Sequence, residues 1–141
     1  MPVHTARVPA TIKIAMSIWL IFMALQAVAI AVALTGERIN PAELAWHVAV
    51  FCGLGYQVYA ASRLSRWSLL VHSLVYASIT FRRYLRDPDW TQRYPLLGIF
   101  VDIIPWAAVV LLVAIHWRKL NWSLLGLPAE KAQVEQRNDV A

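Results

Sequence analysis

Four polar side chains recur at every fourth position of one apolar stretch, and their spacing suits them to chemistry. They are Ser68, His72, Tyr76 and Thr80, and Arg83 follows three residues later. Spacings of three and four place side chains on one face of an α-helix. Because polar groups are costly in hydrocarbon, we predict that this face points into a helix bundle. The stripe either bonds one helix to another or lines a cavity for a polar ligand.

Asp102 is the acidic residue that lies deep within an apolar stretch. A carboxylate at that depth needs a partner or a function. Pro105 follows three residues later and frees backbone carbonyls one turn before it. Arg82 and Arg83 would come to a similar depth in an antiparallel arrangement, so we predict a structural pair between Asp102 and Arg83 or Arg82. The alternative is a small oligomeric transporter or channel in which Asp102 handles a proton or ion.

His72 and His116 raise the possibility of haem, because histidines on facing helices can ligate its iron. Their estimated depths differ by roughly 8 Å, which is poor for a shared iron. Neither residue lies in a metal-spacing motif, and the chain shows no phosphate loop, nucleophile triad or zinc cluster. We therefore predict no enzyme, no catalytic residue, no metal and no cofactor. A haem- or quinone-binding protein that uses His72 stays open as a second alternative. The candidate binding residues are Asp102, His72, Tyr76, Thr80 and Arg83.

The elements that must position these residues are four long apolar stretches, at residues 14–34, 44–62, 67–81 and 96–117. About 20 apolar residues at ~1.5 Å rise cross the ~30 Å hydrocarbon layer of a bilayer. With flanking residues added, the predicted spans are 10–34, 44–62, 67–85 and 96–117. The sequence therefore predicts an all-α integral membrane protein, a four-transmembrane-helix bundle with antiparallel up-down topology.

Composition agrees with this class. Hydrophobic residues make up 60% of the chain and charged residues 15%, against roughly 45–50% and ~25% in soluble domains. The net charge of +5 lies outside the apolar stretches, so it indicates contact with anionic lipid rather than with nucleic acid. The single cysteine, Cys52, excludes an intrachain disulfide. The first stretch is longer than the ~7–15 apolar residues of a signal peptide, so we expect an uncleaved anchor.

The connections define the remaining organisation. Residues 1–9 form a short polar arm, and residues 120–141 form an interfacial segment followed by a polar tail. The link at residues 63–66 is so short that it predicts antiparallel neighbours, with one bent helix as the alternative.

Lysine and arginine counts in the loops favour cytoplasmic termini in a bacterial inner membrane. Eight basic residues fall on the side of the termini: Arg7, Lys13, Arg63, Arg66, Arg118, Lys119, Lys131 and Arg137. Five fall on the opposite side: Arg38, Arg82, Arg83, Arg86 and Arg93.

Small residues recur at helical spacing in the second stretch, at Ala45, Ala49 and Gly53, and in the first, at Ala27 and Ala31. Such faces let helices approach closely, either within the bundle or against a partner. We therefore predict a non-enzymatic accessory or interaction subunit that acts through helix packing. Its partners would be the lipid bilayer, another membrane protein or a second copy of the chain.

Overall fold

The computed structural model describes residues 8–36, 39–98, 103–125 and 137–138. This part of the chain is helical and contains no strand, although one isolated bridge pairs Ser65 with Asn121. The helices are α1 Ala10–Thr35, α2 Pro41–Ser62, α3 Trp67–Arg86, α4 Trp90–Arg93, α5 Pro95–Gly98 and α6 Ile104–Ala114, and a 3-10 turn follows at Trp117–Lys119. The predicted polar arm, apart from residues 8–9, and nearly all of the predicted polar tail lie outside the described residues.

Local sequence explains where the helices begin and end. The Asn40 side chain accepts hydrogen bonds from the backbone N–H groups of Ala42 and Glu43, and Pro41 occupies the first helical position. Both features satisfy or remove N–H groups that have no partner at a helix N-terminus. α3 ends at Arg86, shortly before a proline.

The chain reverses direction between α2 and α3. Leu64 adopts a left-handed conformation with φ of 54°, and the Ser65 N–H donates to the Ala60 carbonyl at 2.8 Å. Farther along the pair, Trp46 near the start of α2 donates to the Ser78 hydroxyl near the end of α3, at 2.8 Å. The link at residues 63–66 therefore joins two antiparallel helices rather than continuing one bent helix.

The four longer helices pack in a ring, which we call the bundle. α1 contacts α2 and α6, and α3 contacts the same two helices. Thr11 at the start of α1 is hydrogen-bonded to His116, just beyond α6, at 2.8 Å. This end also carries the α2–α3 turn, and we call it the basic end because its described charges are Lys13, Arg63, Arg66, Arg118 and Lys119. The opposite, mixed-charge end carries Glu43, Arg82, Arg86, Asp87 and Arg93.

The interior contains polar residues while the outer faces are apolar. On α3, His72 is 2% exposed whereas Leu74 is 71% exposed. Gln57, Ser65 and Ser68 are also buried. The apolar part of the core is Ile12, Ala15, Trp19, Val50, Leu54, Ala60, Ala61, Val75, Trp106, Val109, Val113 and Leu120. The large exposed apolar side chains are most numerous on α1 and α3.

Within the predicted span 96–117 the described helices are α5, as far as Gly98, and α6, which ends at Ala114 before a turn. Residues 99–102 lie outside the described residues, so the continuity of this span stays a prediction. Pro105 lies in the first turn of α6. The backbone N–H groups of a first turn have no partner within the helix, so proline, which lacks this group, costs the helix no hydrogen bond there. By length and composition, α1 and α2 are apolar enough to cross a membrane, and α6 is a shorter apolar helix.

After α6 the chain returns along the basic end as residues 120–125, which we call the C-terminal strap. Its backbone bonds to the α2–α3 turn, with the Asn121 N–H donating to Leu64 and the Arg66 N–H donating to the Asn121 carbonyl, both at 2.8 Å. The Tyr56 and Tyr59 hydroxyls donate to strap carbonyls at 2.7 and 2.6 Å. Residues predicted to lie along an interface are thus fixed against the bundle.

Candidate functional site

A hydrogen bond between Trp19 and His72 lies at the centre of the bundle. The indole Nε1–H of Trp19, on α1, donates to Nδ1 of His72, on α3, at 3.2 Å. Trp19 is fully buried and His72 nearly so. Each residue occupies the inner face of its helix, since the buried positions are Ile12, Ala15 and Trp19 on α1 and Ser68, His72 and Val75 on α3.

This bond fixes the protonation pattern of the His72 ring. An indole nitrogen only donates, so Nδ1 must accept and carries no proton. The neutral imidazole then holds its single proton on Nε2. His72 is consequently a hydrogen-bond donor on the side of the ring opposite Trp19.

Aromatic rings surround the imidazole. The Trp106 ring centre lies 4.8 Å from that of His72, and Tyr76, one turn along α3, is nearly parallel to the imidazole at 9°. Trp106 also contacts Tyr76 at 5.5 Å and Phe22 at 4.9 Å between ring centres. Offset and tilted pairs at these separations are favourable beyond the area they bury. The cluster therefore holds His72 rigidly between α1, α3 and α6.

A groove of about 480 Å³ opens between α3 and α6 beside this cluster. Its polar lining comes from His72, Ser73 and Tyr76, and its apolar lining is Ile103, Trp106, Ala107, Val110 and Leu111. Ile103 and Leu111 are both more than half exposed, so the groove opens on the outer side of the bundle. Among the residues that the structure describes, its lining contains no charged side chain.

The structure places the five sequence-predicted binding residues differently. His72 and Tyr76 come together at the groove. Thr80 is exposed, and Arg83 is half-buried on the same helix and has an interaction partner. Asp102 lies outside the described residues, so its predicted pair with Arg83 stays a prediction.

Arg82, the other arginine considered for Asp102, is bonded to an acid that the sequence analysis did not use. Its guanidinium donates to Glu43 Oε1 at 2.9 Å and lies 4.0 Å above the Trp46 ring centre. Arg86 donates to the same oxygen at 2.6 Å. His47, one turn along α2, lies 3.8 Å from that oxygen through Nε2. This cluster ties the start of α2 to the end of α3.

The Glu43 cluster continues into α1 and borders a second cavity. His47 Nδ1 and Gln26 Oε1 are 2.7 Å apart, so the imidazole donates to the amide oxygen. A cavity of about 400 Å³ is lined by Ala29, Val32, Ala33, Asn40, Glu43 and His47. The carboxylate, imidazole and guanidinium groups of this cluster bond to one another. We therefore interpret the cluster as a structural link between helices.

His116 does not approach His72. Its Nε2 is 2.8 Å from the Thr11 hydroxyl at the basic end, whereas His72 is bonded to Trp19, about two turns farther along α1. A haem held by both histidines is therefore not supported by their positions. Among the described residues, no group of three or more His, Cys, Asp or Glu could hold a metal ion.

Sequence reasoning missed the partners of His72. Trp19 and Trp106 lie deeper in their apolar stretches than the other tryptophans, and that depth was the signal that could have found them. Gln57 was also missed: it is fully buried on α2, and neither amide atom has a hydrogen-bond partner among the described residues. Comparisons with protein-family models, with curated proteins and with solved structures give no match to this chain.

Proposed function

We propose that this chain is a four-pass protein of a bacterial inner membrane with both termini in the cytoplasm. We further propose that it is a non-enzymatic accessory subunit that packs against another transmembrane helix. The passes are α1, α2, α3 and a fourth that includes α6. The partner is a second membrane protein or a second copy of the chain.

Buried polar side chains, together with large apolar side chains on the outer faces, are the observation that carries the membrane assignment. On α3 the polar His72 is buried while Leu74 is exposed, and on α1 Ile21, Val28 and Val32 are each more than half exposed. In water such an outer surface would favour aggregation. In a bilayer apolar side chains face lipid, and polar side chains are satisfied inside the bundle.

The distribution of charge supports the orientation. Among the described residues, the basic end holds five basic side chains and no acid, whereas the mixed-charge end pairs Glu43 and Asp87 with arginines. Cytoplasmic loops carry an excess of lysine and arginine. The basic end is therefore the one we assign to the cytoplasm.

A stripe of small side chains on α2 supports packing against a partner. Ala45, Ala49 and Cys52 are all exposed, at spacings of four and three that place them on one face. Gly53 instead lets α2 pack closely against α3 within the bundle, because a Cβ there would lie 2.6 Å from Val75 Cγ2 on α3. The exposed face would let another helix approach closely, which is the main source of attraction between helices in lipid.

The test is the mass of the complex extracted from native membranes in mild detergent, compared between two variants. Ala49→Leu puts a large side chain on the proposed face, and Ala108→Leu makes the same change at an exposed position of α6. We expect a complex much heavier than the 15.9 kDa chain, lost in Ala49→Leu and kept in Ala108→Leu.

Oxidation of membranes separates the two kinds of partner, because Cys52 lies on the same face. A disulfide-linked pair of identical chains would indicate a second copy, and a heterologous product would indicate another protein. A monomer in native membranes, or equal behaviour of the two variants, would contradict the proposal. The transporter alternative depends on Asp102 and stays a prediction from the sequence.

A further inference from the structure

The groove between α3 and α6 has the chemistry of a small-molecule site rather than of a helix contact. At about 480 Å³ it falls within the ~300–1,000 Å³ of ligand pockets, which are mostly apolar with a few polar groups that fix orientation. Here those polar groups are His72, Ser73 and Tyr76. Ala107, with its small side chain, keeps the opposite wall open.

We propose that this groove binds the ring of a lipid-soluble quinone, with its carbonyl accepting a hydrogen bond from His72 Nε2–H. This inference goes beyond the accessory role, although its fourth supporting feature rests on the proposed four-pass arrangement. Four features of the site support it.

The first feature is the donor. Trp19 occupies Nδ1 of His72, at 3.2 Å, and so places the ring proton on Nε2, on the side away from α1. A carbonyl oxygen is the matching acceptor. A ligand that only donates hydrogen bonds would find no complementary group at this position.

The second feature is the shape of the walls. The rings of Trp106 and Tyr76 lie 5.5 Å apart between centres and both line the groove. Flat rings of this kind favour a planar ligand that packs against their faces.

The third feature is the chemistry of the described lining residues of the groove, none of which is charged. A phosphate or carboxylate group would be buried there without a cation, which is costly. The propionates of a haem would meet the same difficulty, so the site selects a neutral ring.

The fourth feature is the position of the opening. It is flanked by Ile103 and Leu111, which are exposed apolar side chains on the outer face of the bundle. In the four-pass arrangement this face is in contact with lipid. A ligand with a long apolar tail would enter from the bilayer and leave its tail there.

Quenching of tryptophan fluorescence in the purified full-length protein tests the proposal, with a benzoquinone that carries a short alkyl tail as the probe. Three variants are compared with the native chain. Ala107→Phe fills the groove from an exposed position, and Ala108→Phe is its matched control on the neighbouring face. His72→Asn keeps an acceptor near the position of Nδ1 for Trp19 but removes the Nε2–H donor.

The expected result is saturable quenching in the native chain and in Ala108→Phe. His72→Asn should weaken apparent affinity by about three- to tenfold, the equivalent of one hydrogen bond. Ala107→Phe should weaken it by at least about tenfold. If His72→Asn proves poorly folded, the comparison of Ala107→Phe with Ala108→Phe decides alone.

Equal affinity in Ala107→Phe and Ala108→Phe would overturn the proposal, because quenching would then report partitioning of the probe into detergent. Quenching that never saturates in the native chain would overturn it as well.

Discussion

The indole of Trp19 donates a hydrogen bond to His72 Nδ1 at 3.2 Å and so joins α1 to α3 across the centre of the bundle. α1 packs mainly against α2 and α6, which makes this bond a direct polar link between helices that face one another. It holds the imidazole in one tautomer, and His72 also lines the groove between α3 and α6.

The first prediction concerns that bond. Trp19→Phe and His72→Leu should each lower stability, because each leaves the other partner's polar atom unmatched. A double-mutant cycle should give a coupling of roughly 0.6–2 kcal/mol, the range for hydrogen bonds between membrane helices. Thermal or denaturant unfolding in detergent measures it. Losses that simply add would mean that the two side chains are not bonded, and Leu74→Ala, on the outer face of α3, controls for loss of apolar volume.

The second prediction concerns the close approach of α2 and α3. A Cβ at Gly53 would lie 2.6 Å from Val75 Cγ2, whereas one at Gly55 would meet Met23 Sδ at 3.6 Å, an ordinary contact. Val75 is β-branched and stiff in a helix, so it cannot easily move aside. We expect Gly53→Ala to destabilise the protein by about 1–3 kcal/mol, in the range for overpacking.

Gly55→Ala is the matched control, and it should be neutral or slightly stabilising because alanine favours helix. The comparison needs only melting temperatures of the two purified variants. Equal melting temperatures would mean that the helices are farther apart than the structure has them.

The third prediction concerns Gln57. Its amide is fully buried, with no hydrogen-bond partner for either polar atom among the described residues. Replacing an unsatisfied polar group by an apolar one of similar shape should remove its desolvation penalty, about 1–3 kcal/mol. Gln57→Met should therefore raise the melting temperature. A lower melting temperature would show that the amide is bonded in the folded protein and that its removal leaves a partner unmatched.

Much of the helical architecture was predictable, because apolar length determines where long helices form. The predicted stretches 10–34, 44–62 and 67–85 correspond to helices at Ala10–Thr35, Pro41–Ser62 and Trp67–Arg86. In the fourth stretch α6 spans Ile104–Ala114, and Pro105 lies in its first turn, where proline is favoured.

The polar stripe on α3 was predictable in part, and geometry explains where it failed. With 3.6 residues per turn, each four-residue step turns about 40° too far around the helix. Ser68 and His72 are buried, Tyr76 is half-buried, and Thr80, three steps from Ser68 and about 120° away from it, is exposed. Spacing alone thus predicted that His72 and Tyr76 lie close together, but it wrongly placed Thr80 on the inner face.

The partners of these residues could not be predicted, because they lie on other helices. The indole of Trp19 and the ring of Trp106 meet His72 only once three helices are packed. The choice of Glu43 as the acid that pairs with Arg82 likewise depends on the register between α2 and α3, which apolar patterning does not specify.

The most direct test of the four-pass assignment uses single cysteines at opposite ends of the bundle. In a chain whose own cysteine is removed by Cys52→Ser, one variant carries Asp89→Cys and another carries Lys119→Cys. Both positions are exposed, the first beyond α3 at the mixed-charge end and the second at the basic end. A membrane-impermeant maleimide is applied to spheroplasts and to permeabilised cells. We predict that the Asp89→Cys chain is labelled in intact spheroplasts and that the Lys119→Cys chain is labelled only after permeabilisation. Labelling of both from the same side would contradict the assignment.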